Sequence, residues 1–331
     1  MYKYAATFIP GCQEIIVKQL KKHPVAELKI VYVDDSFTIF ESNLPLVQLQ
    51  NFRFFNNIFL VVVNKANAES LDELLETSVQ ETQDLPDLEF SGSFRLLLSE
   101  NGELRRSDSA NFQKLVKKIS VKYGIRESAH RPTNEFWIFL RNNGKGVFAL
   151  KLQLLAFKKI GLARGKLRPQ LAHLLNLVAG TTARDTVLDP FAGAGSIPEE
   201  SLNGFHAKQA IAIEKDKKLA GLLMRNNKVR VEQADATDMN FLESGSVNKI
   251  ITDPPWGKFG NYDSQELETI YKQFIAEAQR VLAPGGVLVI LSSASKLMDE
   301  LIVLTKNLSF IKSYSILVSG KKTNIYKFRK I

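Results

Sequence analysis

The sequence predicts an α/β protein in which an α+β region, residues 1–152, precedes a domain built on an open, mostly parallel seven-strand sheet, residues 185–331. Two observations predict this fold class. In the first half, short runs rich in β-branched and aromatic residues alternate with amphipathic helices. In the second half, apolar strands end in acids or in a glycine turn and are separated by helices, the pattern of parallel βαβ units. The 331 residues exceed one core, so several compact units are expected.

Composition excludes several function classes. Because Cys12 is the only cysteine, no disulfide, zinc cluster or iron–sulfur site can be built from thiols. The four histidines, His23, His130, His173 and His206, lack the spacing of metal ligands, so no metal is expected and none of them is assigned a role. The sequence shows neither the apolar run of a signal peptide nor a span long enough for a bilayer, so we expect a cytoplasmic protein without membrane association.

The basic residues are concentrated in two segments. The net charge is +9, and residues 151–184 hold seven basic residues and no acidic one, as do residues 301–331. Charge polarised in this way favours a polyanionic partner through release of its counterions, although many basic proteins bind none. A nucleic acid is therefore a candidate partner.

Residues 1–56 predict a small α+β unit of ferredoxin-like type. Its strands are predicted over YKYAATFI, LKIVYV and FTIFES, and its helices over 13–22 and 44–52. Residues 57–152 predict a second α+β unit. Its strands are predicted over IFLVVV, SFRLLLS, EFWIFL and GVFALKLQ, and its helices over 71–80 and 109–123.

The helix predicted over 109–123 carries lysines on the face opposite its apolar stripe, namely Lys114, Lys117, Lys118 and Lys122. Such a face indicates either a nucleic-acid surface or an ordinary solvated one. Residues 153–184 then form a basic linker, with apolar residues at helical spacing after Pro169.

A glycine turn opens the seven-strand domain. Residues 187–200 read VLDPFAGAGSIPEE: a strand ending in Asp189, a turn with Gly193 and Gly195, then a helix. In an open α/β sheet a nucleotide-like ligand binds at such a crossing. Pro198 occupies the place of the last glycine of a dinucleotide fingerprint, so a pyrophosphate is disfavoured. A ligand with an adenosine and a cationic amino-acid tail fits better, with Asp189 near its ammonium group. A purely structural glycine turn is the alternative.

Two further acids follow in the order that such a ligand requires. Glu214 ends the strand in AIAIEKD, where a carboxylate can accept hydrogen bonds from both ribose hydroxyls. Asp235 follows a third strand and suits the exocyclic amine of adenine. Each acid alone is more often a surface residue or helix cap; their order favours the ligand site.

The segment VNKIITDPPWG places Asp253, Pro254, Pro255 and Trp256 at the end of a buried strand. The exocyclic amine of a nucleobase is a poor nucleophile, because its lone pair is delocalised into the ring. If the Asp253 carboxylate and the Pro254 carbonyl each accept one amine hydrogen, the nitrogen becomes tetrahedral and its lone pair points toward the electrophile. The prolines stiffen the loop, so little reorganisation is needed. Trp256 offers a face for stacking the extruded base; a Pro-Pro turn beside a core tryptophan is the alternative.

The remaining segments complete the sheet. An amphipathic helix is predicted over 267–282, ending at Ala283-Pro284-Gly285-Gly286, followed by the strand VLVILSS. The last twenty or so residues predict a hairpin with a lysine-rich turn, whose final strand is antiparallel to the others.

On these motifs, residues 150–331 resemble a Rossmann-fold methyltransferase that acts on exocyclic amines. The whole chain resembles the RNA guanine-N2 methyltransferases that contain a THUMP domain, through FIPGCQEIIVKQL, SFRLLLS, SANFQKLVKKIS, LRPQLA, DPFAGAGS and TDPPWG. The resemblance implies S-adenosylmethionine as cofactor, a ferredoxin-like domain at 1–56, a THUMP domain at 57–152 that docks the acceptor stem of tRNA, and a Rossmann-fold catalytic domain at 185–331. Trp256 departs from the family pattern, in which Tyr or Phe is commoner.

The resulting site predictions fall into three groups. The catalytic group is Asp253, Pro254, Pro255 and Trp256. The cofactor-binding group is Asp189, Phe191, Ala192, Gly193, Gly195, Ser196, Glu214, Lys215, Asp235, Ala236 and Asp253. The RNA-binding group is Arg105, Lys114, Lys117, Lys118, Arg164, Lys166, Arg168, Lys321 and Lys322.

Several alternatives stay open at this stage. They are an adenine-N6 methyltransferase on RNA or DNA, a 23S rRNA guanine-N2 methyltransferase, and a non-catalytic RNA-binding protein. Cysteine-dependent cytosine methylation is excluded because Cys12 lies outside the catalytic half, and the SGGxDS loop of sulfur-transfer enzymes is absent. The expected partner is tRNA, with rRNA as the alternative. A monomer is expected, and the need for a small activating subunit is left open.

Overall fold

A computed structural model of the protein describes residues 1–81, 89–153, 166–257, 262–305 and 307–331. The strands are β1 Tyr2–Thr7, β2 Leu28–Val33, β3 Phe37–Ser42, β4 Asn57–Lys65, β5 Ser93–Glu100, β6 Glu103–Arg105, β7 Arg126–Glu127, β8 Asn134–Leu140, β9 Gly146–Lys151, β10 Thr186–Asp189, β11 Gln209–Ile213, β12 Val229–Glu232, β13 Val247–Thr252, β14 Leu282–Ser292, β15 Leu308–Val318 and β16 Lys321–Lys330. The helices are α1 Gln13–Leu20, α2 Leu46–Leu49, α3 Leu71–Gln80, α4 Ala110–Tyr123, α5 Pro169–Ala179, α6 Ser196–Asn203, α7 Lys217–Ala220, α8 Ser264–Val281 and α9 Ser295–Leu304.

The chain divides into two compact units. The first holds Met1–Phe8, Gln19–Asn51 and Phe55–Lys158, and the second holds Ile9–Lys18, Phe52–Phe54 and Lys159–Ile331. Two short segments from early in the sequence therefore belong to the same unit as the C-terminal half. The domain boundaries predicted at residues 56, 152 and 184 stay predictions.

The first unit is built on one sheet with the strand order β2-β3-β1-β4-β9-β8-β5-β6, to which β7 adds by pairing with β5. Neighbouring strands on the path are antiparallel except β5 and β8, which are parallel. Helices α3 and α4 pack together, and their apolar faces share one core with the strands through Leu74, Leu115 and Ile119. Both helices begin with a serine cap, at Ser70 and Ser109, whose hydroxyl accepts a backbone N–H.

The second unit is built on a seven-strand sheet with the order β12-β11-β10-β13-β14-β16-β15. Strands β10 to β14 pair in parallel, whereas β16 is antiparallel to both of its neighbours. Helix α8 begins at a capping box between Asp263 and Glu266 and packs Tyr271 and Phe274 into a core with strand residues such as Leu188. The predicted fold class is confirmed.

The segment at residues 9–18 lies against the C-terminal hairpin of the second unit. The Leu317 N–H donates to the Pro10 carbonyl at 3.0 Å, and Lys312 is paired with Glu14. Gly11 has φ +88°, and a β-carbon there would lie 2.1 Å from the Ser315 carbonyl oxygen. Only glycine allows the chain to approach β15 so closely.

The structure differs from the predicted elements in three places. The helix predicted over 44–52 is a single turn, α2, because Leu46 and Val47 are exposed and only Leu49 is buried, so little packing stabilises it. The Pro284-Gly285-Gly286 turn falls inside β14, at a shift of register against β13, rather than between elements. Elements β6, β7, α7 and α9 were not predicted.

Candidate active site

Three acids meet at the carboxyl edge of the second unit's sheet. Asp189 is the last residue of β10, Glu214 follows β11, and Asp253 follows β13. Since β10 pairs in parallel with β11 on one side and β13 on the other, these strand ends are adjacent. The order of the strands reverses at β10, and ligands of open α/β sheets bind in the crevice that such a reversal creates.

A cavity of about 530 Å³ lies at this crevice. It is lined by Leu167, Asp189, Pro190, Phe191, Ala192, Gly193, Ser196, Ile197, Glu214, Lys215, Ala234, Asp235, Ala236, Thr237, Asp253, Pro255, Tyr262, Ile270 and Gln273. Small-molecule sites commonly have volumes of about 300–1,000 Å³, so a ligand the size of a nucleoside derivative fits.

The cavity brings together ten of the eleven residues predicted to bind the cofactor, and Gly195 is the exception. Of the four residues predicted to be catalytic, Asp253 and Pro255 line the cavity, whereas Pro254 and Trp256 do not. The roles assigned to these residues stay predictions, but their gathering at one crevice is a fact of the structure.

The two glycines of the turn after β10 differ in what they do. The Gly193 N–H donates to Glu214 Oε2 at 2.8 Å, and Gly193 lines the cavity. Gly195 caps α6 with φ +85°, and a β-carbon there would lie 2.9 Å from Leu223 Cδ2. Gly195 is therefore required by the conformation of the turn and by its packing, not by an approach to the cavity.

Hydrogen bonds fix the orientation of two cavity carboxylates. Glu214 accepts a second backbone N–H, from Asp216 at 2.8 Å. Asp235 accepts the Thr237 N–H and hydroxyl through Oδ1, at 3.0 and 2.8 Å, while Oδ2 is paired with Lys215 at 2.7 Å. Partial burial opposes ionisation of Asp235, but Lys215 and Thr237 outweigh it and hold its pKa below the usual value. Both carboxylates are thus held as preoriented acceptors.

The other two carboxyls are deeper and harder to ionise. Asp189 is buried and accepts the Thr252 hydroxyl at 2.8 Å and the Phe191 N–H at 3.2 Å. Burial, which outweighs these hydrogen bonds, raises the pKa of Asp189 to about 8, and the nearby carboxylates of Asp253 and Glu214 add to the effect. Burial likewise raises the pKa of Asp253 to about 7, which the neighbouring Trp256 indole only partly offsets.

Within the described part of the chain, Asp253 Oδ1 is buried and has no hydrogen-bond partner. An unsatisfied buried acceptor is costly, and such groups in folded proteins often await a ligand. Among the described residues, the cavity lining contains four acids and one basic residue, Lys215, which is paired with Asp235. The site therefore favours a cationic ligand and a donor that can reach Asp253.

Trp256 lies half-buried beside the cavity rather than in its lining. Its indole N–H donates to the Leu291 carbonyl at 3.2 Å, which ties the loop after β13 to the end of β14. Stacking of a target base on this indole stays a prediction; the observed hydrogen bond assigns Trp256 an anchoring contact that the sequence does not reveal.

A buried ionic cluster supports helix α6, which follows the glycine turn. Glu200 accepts Arg53 Nε at 2.8 Å, and His173 Nδ1 lies 2.7 Å from Glu200 Oε1. Burial opposes ionisation of Glu200, but His173 and Arg53 outweigh it and lower its pKa. Sequence reasoning assigned no role to His173 and overlooked Arg53, because Arg53 and Glu200 are 147 positions apart and no local pattern joins them.

The residues predicted to bind RNA lie in both units. Lys114 and Lys117 are exposed on α4, whereas Lys118 donates to the Val79 carbonyl at the end of α3. Arg105 is paired with Glu100 and Glu103. In the second unit, Lys166 is paired with Glu199, Arg168 is exposed before α5, and Lys321 and Lys322 are exposed at the hairpin turn. Arg164 lies outside the described residues.

Sequence reasoning missed part of the cavity wall. Ile270 and Gln273 come from successive turns of α8, and Tyr262 precedes that helix. In the sequence, Ile270 is one apolar position of the amphipathic helix predicted over 267–282, and Gln273 stands among polar residues with no distinguishing pattern. In the described part of the chain, no group of three or more His, Cys, Asp or Glu is arranged to hold a metal ion, and no helix is long and apolar enough to cross a membrane.

The sheet order and the cavity at its switch point define the second unit as a Rossmann-like domain of the methyltransferase class. Residues 204–324, which include the Asp253 loop, match the family model described as UPF0020, the RMKL-like methyltransferase domain. The chain is 26% identical over 227 residues to the tRNA (guanine(10)-N2)-dimethyltransferase of Methanothermobacter thermautotrophicus and 28% identical over 230 residues to the tRNA (guanine(6)-N2)-methyltransferase of Thermus thermophilus. These matches cover 63% and 65% of this chain and 65% and 66% of the two relatives.

A solved structure resembles the chain over its full length. The crystal structure of TrmN from Thermus thermophilus superposes with a TM-score of 0.82 at 20% identity, covering 100% of both chains. At this identity the likeness shows the fold, and it extends to both units of the protein.

Proposed function

We propose that the protein is an S-adenosylmethionine-dependent methyltransferase that transfers a methyl group to the exocyclic N2 of a guanosine in tRNA. One observation carries the proposal: Asp253, whose Oδ1 is buried and has no hydrogen-bond partner among the described residues, lines a cavity that is rich in acidic residues, at the switch point of a methyltransferase-type sheet. The names of the two curated relatives, both tRNA guanine-N2 methyltransferases, support the choice of substrate.

The cavity residues suit this cofactor. Asp189 would hold the ammonium end of its amino-acid tail, Glu214 the ribose hydroxyls, and Asp235 the adenine amine, as the order of these acids along the chain predicts. The excess of carboxylates offsets the positive charge of a sulfonium and an ammonium group. When bound, the cofactor supplies a methyl group made electrophilic by the sulfonium.

The chain's own contribution lies in the loop after β13. Asp253 and the Pro254 carbonyl would accept the two hydrogens of the target amine, so that the nitrogen lone pair is no longer delocalised into the ring. Positive charge that develops on this nitrogen would be stabilised by Asp253 in its ionised form, whose Oδ1 has no hydrogen-bond partner among the described residues. Because Pro254 and Pro255 restrict the backbone, the acceptors are in place before the base arrives.

The first unit would bind the RNA. Lys114 and Lys117 are exposed on α4, a helix that contains no acidic residue. Their charges can therefore contact phosphates. Lys118 is engaged in its own unit and would contribute less than sequence reasoning predicts. We infer a monomer that acts on tRNA in the cytoplasm.

The decisive experiment combines methyl transfer with identification of the product. The purified chain is incubated with unmodified tRNA transcripts and labelled S-adenosylmethionine, and the digested nucleosides are identified by mass spectrometry. N2-methylguanosine is the expected product. N6-methyladenosine, or methylation of rRNA in place of tRNA, would overturn the substrate, and failure to bind the cofactor by calorimetry would leave a non-catalytic RNA-binding protein. Asp253→Ala should abolish transfer while cofactor binding persists.

A further inference from the structure

The loop at residues 253–256 is poor in hydrogen-bond donors. Neither Pro254 nor Pro255 has a backbone N–H, so the loop cannot be held in place by its own amides there. A loop that must present acceptors at fixed positions then needs donors from other elements, and they can bind only its carbonyl groups and side chains.

The Tyr271 hydroxyl supplies one such donor. Tyr271 lies on α8, fully buried, with its hydroxyl 3.1 Å from the Pro255 carbonyl and 2.9 Å from Ser292 Oγ. Ser292, at the end of β14, also accepts the Ala294 N–H at 3.1 Å. Because a carbonyl can only accept, the Tyr271 proton points to Pro255, and the Ser292 proton must point to Tyr271. The result is a hydrogen-bond chain running in one direction from Ala294 to the loop, in which each bond strengthens the next.

A second anchor ends on the same strand. The Trp256 indole N–H donates to the Leu291 carbonyl, one residue before Ser292. The loop is thus held on both sides of the peptide between Pro255 and Trp256, once through a carbonyl and once through a side chain.

Packing of the Tyr271 ring in the core does not require its hydroxyl group. The ring is part of the core cluster that includes Phe274 and Ile275, and a phenylalanine would fill nearly the same volume. Burying a hydroxyl lowers stability unless its hydrogen bonds are made. The polar atom is therefore explained by what it contacts, which is the loop that carries Asp253.

We propose that Tyr271, supported by Ser292, is a positioning residue for methyl transfer: it fixes the Pro255 carbonyl and thereby orients Asp253 and the Pro254 carbonyl toward the target amine. The inference rests on the proposed function. The Pro255 carbonyl already accepts a hydrogen bond from Tyr271. Of the two proline carbonyls, the Pro254 carbonyl is therefore assigned to the target amine.

The first test compares Tyr271→Phe with Tyr326→Phe. Tyr326 is the control, because it is buried in the same core cluster and its hydroxyl accepts a hydrogen bond from Asn324 Nδ2 at 3.2 Å, whereas the Tyr271 hydroxyl donates to the Pro255 carbonyl. Displacement of reacting groups by about 1 Å can cost about 100-fold in rate. We expect Tyr271→Phe to lower kcat about 10- to 100-fold with the KM for RNA and the affinity for S-adenosylhomocysteine within about twofold of the parent. Tyr326→Phe should keep the parent kcat. Ser292→Ala should lower kcat less, and non-additively with Tyr271→Phe.

The second test reads the loop without any turnover. The protein has two tryptophans, so in a Trp137→Phe background Trp256 alone reports fluorescence. Loss of the Tyr271 hydroxyl should increase quenching of Trp256 by acrylamide, whereas Tyr326→Phe should leave it unchanged. Parent-like quenching and kcat in Tyr271→Phe would overturn the inference. If the parent transfers no methyl group, the proposed function fails, yet increased quenching would still support Tyr271 as the anchor of the loop.

Discussion

Asp253 should lower the energy of the transition state for methyl transfer, and it should also lower the stability of the folded protein. The variant Asp253→Asn separates these two effects. Asparagine has nearly the same shape but no charge. The carboxyl pKa rises from 3.8 in the unfolded chain to about 7 in the folded one, and at about 1.4 kcal/mol per pKa unit the ionised side chain costs the ligand-free fold about 4 kcal/mol. A buried amide that lacks some of its hydrogen bonds itself costs about 1–3 kcal/mol, so the net gain expected for the variant is about 1–3 kcal/mol.

The sign of the pH dependence follows from the raised pKa. A carboxyl that is harder to ionise in the folded state stabilises the protein at low pH, and this stability is lost as the pH rises toward the folded pKa. The parent should therefore lose stability relative to Asp253→Asn between about pH 4 and pH 7, and the difference should level off above that. For a protein of this size, about 1–3 kcal/mol corresponds to a rise in Tm of roughly 1–4 °C.

The assay is thermal unfolding of the parent and Asp253→Asn, without ligand, at a series of pH values, alongside methyl transfer by both proteins. The variant should melt higher at pH 8. It should also lose about 100-fold or more in kcat, because the amide lacks the negative charge that stabilises the nitrogen in the transition state, and loss of one preorganised charge-stabilising group costs about 100- to 1,000-fold. A Tm difference that does not change with pH would refute the claim that burial raises the pKa of Asp253 in the folded protein. A variant that is less stable than the parent at pH 8 would refute it as well.

Three further predictions test other parts of the structure. Since burial raises the pKa of Asp189 to about 8, the affinity for the cationic cofactor should rise between about pH 6 and pH 8.5, with protons released on binding. Calorimetry in two buffers of different ionisation enthalpy measures this proton release, and an affinity that does not depend on pH would contradict the prediction. Charge reversal at Lys114 and Lys117 should weaken tRNA binding several-fold, whereas Lys118→Ala should mainly lower stability because that lysine holds the Val79 carbonyl; equal loss of binding in both variants would argue against the assignment. Glu200→Gln should lower the free energy of unfolding by about 2 kcal/mol in urea denaturation, because Arg53 and His173 lose a charged partner; a parent-like midpoint would show that this cluster contributes little.

The acids of the cavity could be predicted because their signal is local. Asp189 and Asp253 each stand at the end of an apolar strand, Glu214 follows another, and parallel strands bring such ends to one edge. The fold class was predictable for the same reason, since it depends on periodicity and on the order of elements.

The contacts between distant segments could not be predicted. Arg53 meets Glu200 only because a three-residue segment, Phe52–Phe54, joins the second unit. Gln273 lines the cavity because of how α8 is rotated about its own axis. A helical pattern in the sequence indicates which face of a helix is buried, but not which single side chain reaches a cavity. In the sequence, Tyr271 is one more position in the apolar stripe of the helix. The role of its hydroxyl is apparent only in the structure, where it donates to the Pro255 carbonyl.

The position of the last strand has a consequence for how the protein is made. Strand β16, the final ten residues before Ile331, lies between β14 and β15 rather than at the edge of the sheet. During synthesis β14 and β15 are made before β16, so neither can pair with it at first, although β14 can already pair with β13. Residues 9–18 precede all of these strands in the sequence and also contact this hairpin. At about 5–20 residues per second, roughly 2–8 s pass between the completion of β14 and that of β16, during which this edge of β14 is open. Deletion of Lys321–Lys330 would remove the strand that joins β15 to the rest of the sheet.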